Sequence, residues 1–196
     1  MNNIKFTSDI DIDFASRDEA LKLLKHIPAA INRDAAWVKH NTGVYFTDIP
    51  IDPINEIASI DYEAAENRGY VKLDFLNVHV YTLIKSQAHL DELLAQTPDW
   101  NKIYDIDFCK QVIHINNHYA SLIKMPERID SILKLAMFLS VIRPSKRHLI
   151  GKSWNEVGKT IWEKPTDGTY YYKKSHAVAY AHLTAVHINL LNNLSN

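Results

Sequence analysis

Asp9, Asp11 and Asp13 alternate with Ile10, Ile12 and Phe14 in the stretch Ser8-Asp9-Ile10-Asp11-Ile12-Asp13-Phe14. Alternation is the period of a β-strand, in which side chains two apart share a face. The aspartates are therefore expected on one face, with the apolar residues buried on the other. Aspartate is a poor strand former, and neighbouring like charges repel. A divalent cation would offset that repulsion, and hard carboxylate oxygens suit Mg²⁺ or Mn²⁺. The stretch Tyr70-Val71-Lys72-Leu73-Asp74-Phe75 alternates in the same way. If the two strands are neighbours, Asp74 joins the first cluster and Lys72 lies beside it. Two carboxylates from one strand and a third from another form a cradle for two metal ions in nucleotidyl transfer. One ion activates the attacking hydroxyl, and the other holds the triphosphate and the leaving pyrophosphate. The plainer reading is a solvated sheet face that happens to carry aspartates. A single D-x-D would not rise above it; the additional K-x-D strand does.

A second group of residues suits anions. Lys173, Lys174, Ser175 and His176 stand where a long amphipathic pattern begins. Ser175 is the expected N-cap, and the backbone N–H groups of a helix start favour an anion such as a triphosphate. Ordinary surface lysines at a helix start would look the same. Arg143, Lys146 and Arg147 form the most basic stretch and could contact phosphates, although taken alone they read better as a solvated basic loop. Tyr170, Tyr171 and Tyr172 could stack on a base or pack on the core. His114 and His118 have a spacing that binds zinc on a helix, but no third ligand is evident, so they are taken as surface or core histidines.

The elements that must position these groups follow from the pattern. Ser16-Arg17-Asp18-Glu19 is a capping box opening a helix with Ala20, Leu21, Leu24 and Ile27 on its buried stripe, stopped by Pro28. Lys39 to Gly43 reads as a turn before a strand at Val44 to Phe46, and Ile57 to Ile60 as a short strand. Asp61 to Arg68 reads as a helix or a loop. Later the period becomes helical. Ser86 caps a helix holding Leu90, Leu93 and Leu94. Trp100 to Lys124 is expected in two helical pieces broken at Asn116-Asn117. Pro126 is expected to open a helix that Pro144 ends, and Ser153-Trp154-Asn155-Glu156 caps another reaching Trp162. Strands come early and helices late, an α+β layout. It divides into a catalytic sheet with helices over residues 1–85 and a helical part over 86–196, or runs as one continuous domain.

The 196 residues suffice for a real core, and a net charge of −1 announces no overall basic field. The single cysteine, Cys109, permits no internal disulfide and fits a reducing compartment. No run approaches membrane-spanning length, and the first residues lack the apolar core of a signal peptide. A cytoplasmic protein with no membrane partner is expected.

Together these motifs resemble the palm and inner-finger motifs of the C-family replicative DNA polymerases, the family of the catalytic α subunit of bacterial DNA polymerase III. Ser8–Phe14 resembles the family's D-[FI]-D-[IV]-D-F signature, and Gly69–Leu76 its G-[LY]-[VIL]-K-x-D-[FI]-L strand. Lys39-His40-Asn41-Thr42-Gly43-Val44 is similar to its K-H-x-A-G-V segment. Arg143-Pro144 resembles its R-P-G stretch, and Lys173–Ala181 its N-K-S-H-[AS]-x-A-Y-[AS] helix start. Five motifs in the family's order are far more specific than any one of them. Asn77 stands where the family usually has glycine after the third aspartate, and Ser145 where it has glycine after Arg-Pro.

The resemblance implies a small polymerase-β-like nucleotidyltransferase palm, a mixed sheet of few strands, with a finger-like helical C-terminal half. It implies a DNA polymerase that adds deoxynucleotides to a DNA 3′-hydroxyl with Mg²⁺ or Mn²⁺. Asp11, Asp13 and Asp74 would be catalytic metal ligands, with Asp9 supporting them. Lys72, Arg143, Lys173, Lys174, Ser175 and His176 would hold phosphate or nucleotide. The implied partners are primer–template DNA, a deoxynucleoside triphosphate, and host or cognate replication proteins. The duplex-gripping parts of the family are missing from these 196 residues, which bears on processivity and template dependence. Another nucleotidyltransferase, acting on RNA, protein or a small molecule, and a non-catalytic homologue that binds nucleic acid or a replication protein are the alternatives.

Overall fold

The structure is a computed structural model that describes residues 10–34, 36–166 and 172–194. Asp9, Tyr170 and Tyr171, named above, lie outside the described residues. The chain is α+β, with a small mixed sheet in its first part and a helical C-terminal half. It forms two compact units, Met1–Leu83 and Ile84–Asn196.

The first unit holds strands β1 (Ile10–Phe14), β2 (Ile27–Arg33), β3 (Ala36–Tyr45), β4 (Ile51–Asp52), β5 (Ile57–Ala58) and β6 (Leu73–Asn77), with helices α1 (Arg17–Lys22) and α2 (Tyr62–Asn67). Four strands form one sheet in the order β1-β6-β3-β2, and β4 and β5 form a separate pair. β1 runs parallel to β6, while β3 is antiparallel to both β6 and β2. The apolar half of the alternation does what its period requires. Ile12, Phe14 and Leu73 pack with Phe75, Val44 and Leu21 of α1 into one cluster, and the Phe14 and Phe75 rings lie 4.6 Å apart. Ile10 was expected in this layer but stays 44% exposed at the start of an outer strand.

The loop chemistry differs from expectation at two places. Ser16 caps α1 through the Glu19 N–H, but the helix ends at Lys22, and Ile27 and Pro28 belong to β2. Proline holds the residue before it extended, and an outer strand tolerates its missing N–H. The turn expected at Lys39–Gly43 is instead part of β3. There Pro28 pairs with Val44 and Ala30 with Lys39, so His40 to Gly43 form a bulge against a shorter stretch of β2.

The second unit holds α3 (Gln87–Ala95), α4 (Ile106–Cys109), α5 (Tyr119–Leu122), α6 (Ile132–Val141), α7 (Trp154–Thr160) and α8 (Lys174–Leu194). Leu135 to Val141 are all buried, so α6 is enclosed on every side over these residues, with α7 and α8 against it, while Leu133 in its first turn is exposed. The helix expected from Pro126 starts only at Ile132, capped by Ser131. The preceding segment spends its backbone elsewhere: Ile129 N–H donates to Tyr104 Oη at 2.8 Å, and Glu127 C=O accepts from Trp154 Nε1 at 3.1 Å. Trp100 to Lys124 holds two helices, α4 and α5, one on each side of Asn116-Asn117 as expected, each a single turn long. His114 there adopts φ +67°, in the left-handed region that ends helical runs. Ser86 caps α3, and Ser153 with Glu156 forms the full capping box of α7. No helix among the described residues is long and apolar enough to cross a membrane.

Candidate active site

The carboxylate row begins with strand register. In the parallel β1–β6 pair, Asp11 lies opposite Asp74 and Asp13 opposite Leu76. Residues in register share a sheet face, as do residues two apart on one strand. Asp11, Asp13 and Asp74 are therefore on the same face, opposite the Ile12–Phe14–Phe75 cluster. β3 continues the row, with Gly43 opposite Asp74.

Each carboxylate has its own surroundings. Asp13 is raised above the usual aspartate range by burial and by the Asp11 charge beside it, while a hydrogen bond with the Tyr81 hydroxyl works the other way. Tyr81 lies on a 3₁₀ turn, His79–Leu83, that follows β6 directly. The Asp74 side chain is only 13% exposed. Its Oδ2 accepts from Lys72 Nζ, and its Oδ1 accepts from Thr42 Oγ1 at 2.6 Å. On a regular strand Thr42 would point with Val44 into the apolar layer; the bulge turns it to the carboxylate face.

His40 closes the group. Its Nδ1 accepts the Gly43 N–H at 2.9 Å and the Thr42 N–H at 3.3 Å, which places the imidazole proton on Nε2. Burial, and then the Lys72 charge, lower its pKa. The 3.8 Å approach of Nδ1 to Asp74 Oδ1 is therefore a neutral ring beside a carboxylate and not an ion pair. The His40 ring meets Tyr62 edge-on at 5.3 Å, and Lys72 Nζ lies 5.7 Å from the same Tyr62 ring. At the far end of the two strands, Asn77 Oδ1 accepts the Arg17 N–H at 2.6 Å, tying the end of β6 to the start of α1. A glycine there could not make that bond.

The expected nucleotide-binding residues of the second unit group differently. The Arg143 guanidinium lies 4.5 Å from the Tyr172 ring, with Nε buried and lacking a hydrogen-bond partner among the described residues. Tyr172 stacks parallel to Tyr180 at 6.4 Å and meets His176 edge-on at 6.5 Å. His114 lies 4.7 Å from Tyr180, its pKa pushed down to about 4 by burial and by Arg143 and His187. Lys174 Nζ lies 5.8 Å from the Trp162 ring. Ser175 was expected to cap α8, but the helix already includes Lys174, and the Lys173 carbonyl accepts the Ala177 N–H at 3.0 Å. Ser175 thus stands within the first turn. Lys146 and Arg147 are committed to the fold: Lys146 Nζ donates to the Thr160 and Glu163 carbonyls, and Arg147 Nε to the Ile142 carbonyl.

No family model matches the chain, no curated protein matches its sequence, and no solved structure matches its fold. What the site can do must come from its own residues. Carboxylate oxygens on one face are the donor type that Mg²⁺ or Mn²⁺ takes, with Asp11, Asp13 and Asp74 as the residues that would hold it. Among the described residues no three His, Cys, Asp or Glu groups already close around one point, and Asp74 is turned to Lys72 and Thr42. The sequence offered no role for Thr42, His40, Tyr62 or Tyr81. For His40 and Thr42 the available signals are the motif segment that holds them and Gly43 within it, since a glycine beside a strand marks a bulge or a close approach.

Proposed function

We propose that the chain is a nucleotidyltransferase of the C-family DNA polymerase type, which adds deoxynucleotides to a DNA 3′-hydroxyl. The observation that supports it is the register of Asp11 with Asp74, with Asp13 on the same face. That arrangement joins acidic groups from distant parts of the sequence, as two-metal phosphoryl chemistry requires. The first unit then serves as a polymerase-β-like palm and the second as its finger-like companion.

In this reading Asp11, Asp13 and Asp74 hold divalent cations, which supply a more acidic 3′-hydroxyl and neutralise the triphosphate charge. Thr42 fixes the orientation of Asp74, and Tyr81 that of Asp13. Lys72 balances the charge of Asp74, and the motif resemblance assigns it to phosphate. Arg143, stacked on Tyr172, is preorganised for a nucleotide phosphate, with Lys173, Lys174, Ser175 and His176 as further contacts that the motif resemblance assigns. Primer–template DNA and a deoxynucleoside triphosphate are the substrates, and replication proteins would supply the grip on duplex that these residues lack.

The engagement of both Asp74 oxygens favours one other reading, a non-catalytic homologue that binds nucleic acid or a replication protein. Single-nucleotide primer extension with Mn²⁺ separates the two. Asp11→Asn and Asp74→Asn should each lose at least 100-fold in incorporation, roughly the scale of removing one electrostatic catalytic group, while keeping the wild-type circular dichroism. Equal incorporation by both variants and the wild type would exclude the catalytic reading. Templated, untemplated and RNA substrates in the same assay distinguish a DNA polymerase from other nucleotidyltransferases.

A further inference from the structure

We infer that Lys72 is an internal stand-in for a metal ion: its ammonium occupies Asp74 in the free protein and is expelled when a divalent cation binds. The inference rests on the reading of Asp11, Asp13 and Asp74 as metal ligands.

The two oxygens of Asp74 have different partners. Oδ1 accepts from Thr42 at 2.6 Å, and Oδ2 accepts from Lys72. A carboxylate oxygen has lone pairs for more than one partner, so the neutral Thr42 hydroxyl can stay when a cation arrives. The ammonium cannot, because two cations on one carboxylate repel strongly where both side chains are mostly shielded from water. Metal loading and the Lys72–Asp74 pair are therefore alternatives.

Without Lys72 the free protein would fold with Asp74 opposite Asp11 in register and without the ammonium that now offsets the repulsion at Asp74. The surroundings also provide for its departure. The lysine stem lies over Gly43, where a Cβ would stand 2.7 Å from Lys72 Cδ, so no β3 side chain stands at that point. The Tyr62 ring, 5.7 Å from Nζ, is a neighbouring seat for a displaced cation. A lysine suits this role better than an arginine, whose planar fork would grip both oxygens. Thr42 is then a positioning residue that keeps Asp74 aimed while its charge partner changes.

The test is brief acetylation of the full chain with acetic anhydride, read peptide by peptide by mass spectrometry, without and with Mn²⁺ at a concentration shown by calorimetry to saturate. Lys72 should be modified several-fold faster with Mn²⁺, while Lys110, paired with Asp107 on the surface, is unchanged. In Asp74→Asn, Lys72 should react fast in both conditions. Calorimetric binding with Lys72 still protected would overturn the inference and leave the metal site standing. Absence of calorimetric Mn²⁺ binding in the wild type would remove the metal site and the inference with it. As an independent measurement, Lys72→Met should bind Mn²⁺ roughly tenfold more tightly than the wild type. An unchanged or weaker affinity in a folded Lys72→Met protein would also overturn the inference.

Discussion

Gly43 and Lys72 are in contact across the β3–β6 pair, so closely that a Cβ on the glycine would stand 2.7 Å from Lys72 Cδ. The same atom would lie 3.0 Å from His40 Nδ1 and 3.1 Å from Ala29 Cβ. Ala29 of β2, His40 of β3 itself and Lys72, just before β6, thus converge where the glycine has no side chain. Gly43→Ala should cost about 1–3 kcal/mol, the usual range for forcing an extra carbon into a packed site. Urea denaturation checks it. The cost should be smaller in a Lys72→Ala background, where the nearest clashing atom is gone; an equal cost in both backgrounds would mean that Lys72 is not what the new carbon meets.

The half-buried His114 should make the second unit acid-sensitive. Its pKa falls from 6.5 unfolded to about 4 folded, because burial and the Arg143 charge disfavour the imidazolium. The unfolded chain therefore binds more protons between those values, and linkage requires stability to fall as pH drops through that window. His114→Asn removes the titrating group while tolerating the φ of +67°. Thermal melts should show a smaller loss between pH 6.5 and pH 4 in the variant than in the wild type, and no difference in slope above pH 7.5.

Asn189 on α8 is 2% exposed, and its Nδ2 donates to the Leu93 and Gln96 carbonyls at 3.0 and 2.9 Å. These carbonyls belong to the C-terminal turn of α3 and have no further turn of helix to bond. Asn189→Leu keeps the volume but leaves them without a donor. It should destabilise the protein by about 1–3 kcal/mol, the cost of unsatisfied buried polar groups. Chemical denaturation gives the value; a neutral result would mean that water reaches these carbonyls.

The most regular chemistry was the most legible. β1 and β6 are readable because period-two alternation sorts the faces of each strand before any partner is known, while their pairing, which sets Asp11 opposite Asp74, comes from the fold. Ser86 and Ser153 are readable as caps because the cap bond is local. The failures are places where tertiary partners won. Pro28 reads as a helix stop, yet it pairs with Val44 in β2. Pro126 reads as a helix start, yet Tyr104 and Trp154 take the backbone groups that a helix there would use. Thr42 and His40 reach Asp74 only through the bulge in β3, and a bulge depends on two strands, which no single stretch of sequence reveals. Asn77 reads as a departure from the family motif, and its bond to the Arg17 N–H gives that departure a structural purpose.

Whether the aspartate face is a metal centre can be asked directly by titrating Mn²⁺ into the protein and following free Mn²⁺ by electron paramagnetic resonance, with a deoxynucleoside triphosphate present and absent. The account predicts saturable binding in the wild type that strengthens with nucleotide, and at least a tenfold loss of affinity in each of Asp11→Asn, Asp13→Asn and Asp74→Asn. Wild-type affinity in all three variants, or no saturable binding in the wild type, would contradict it.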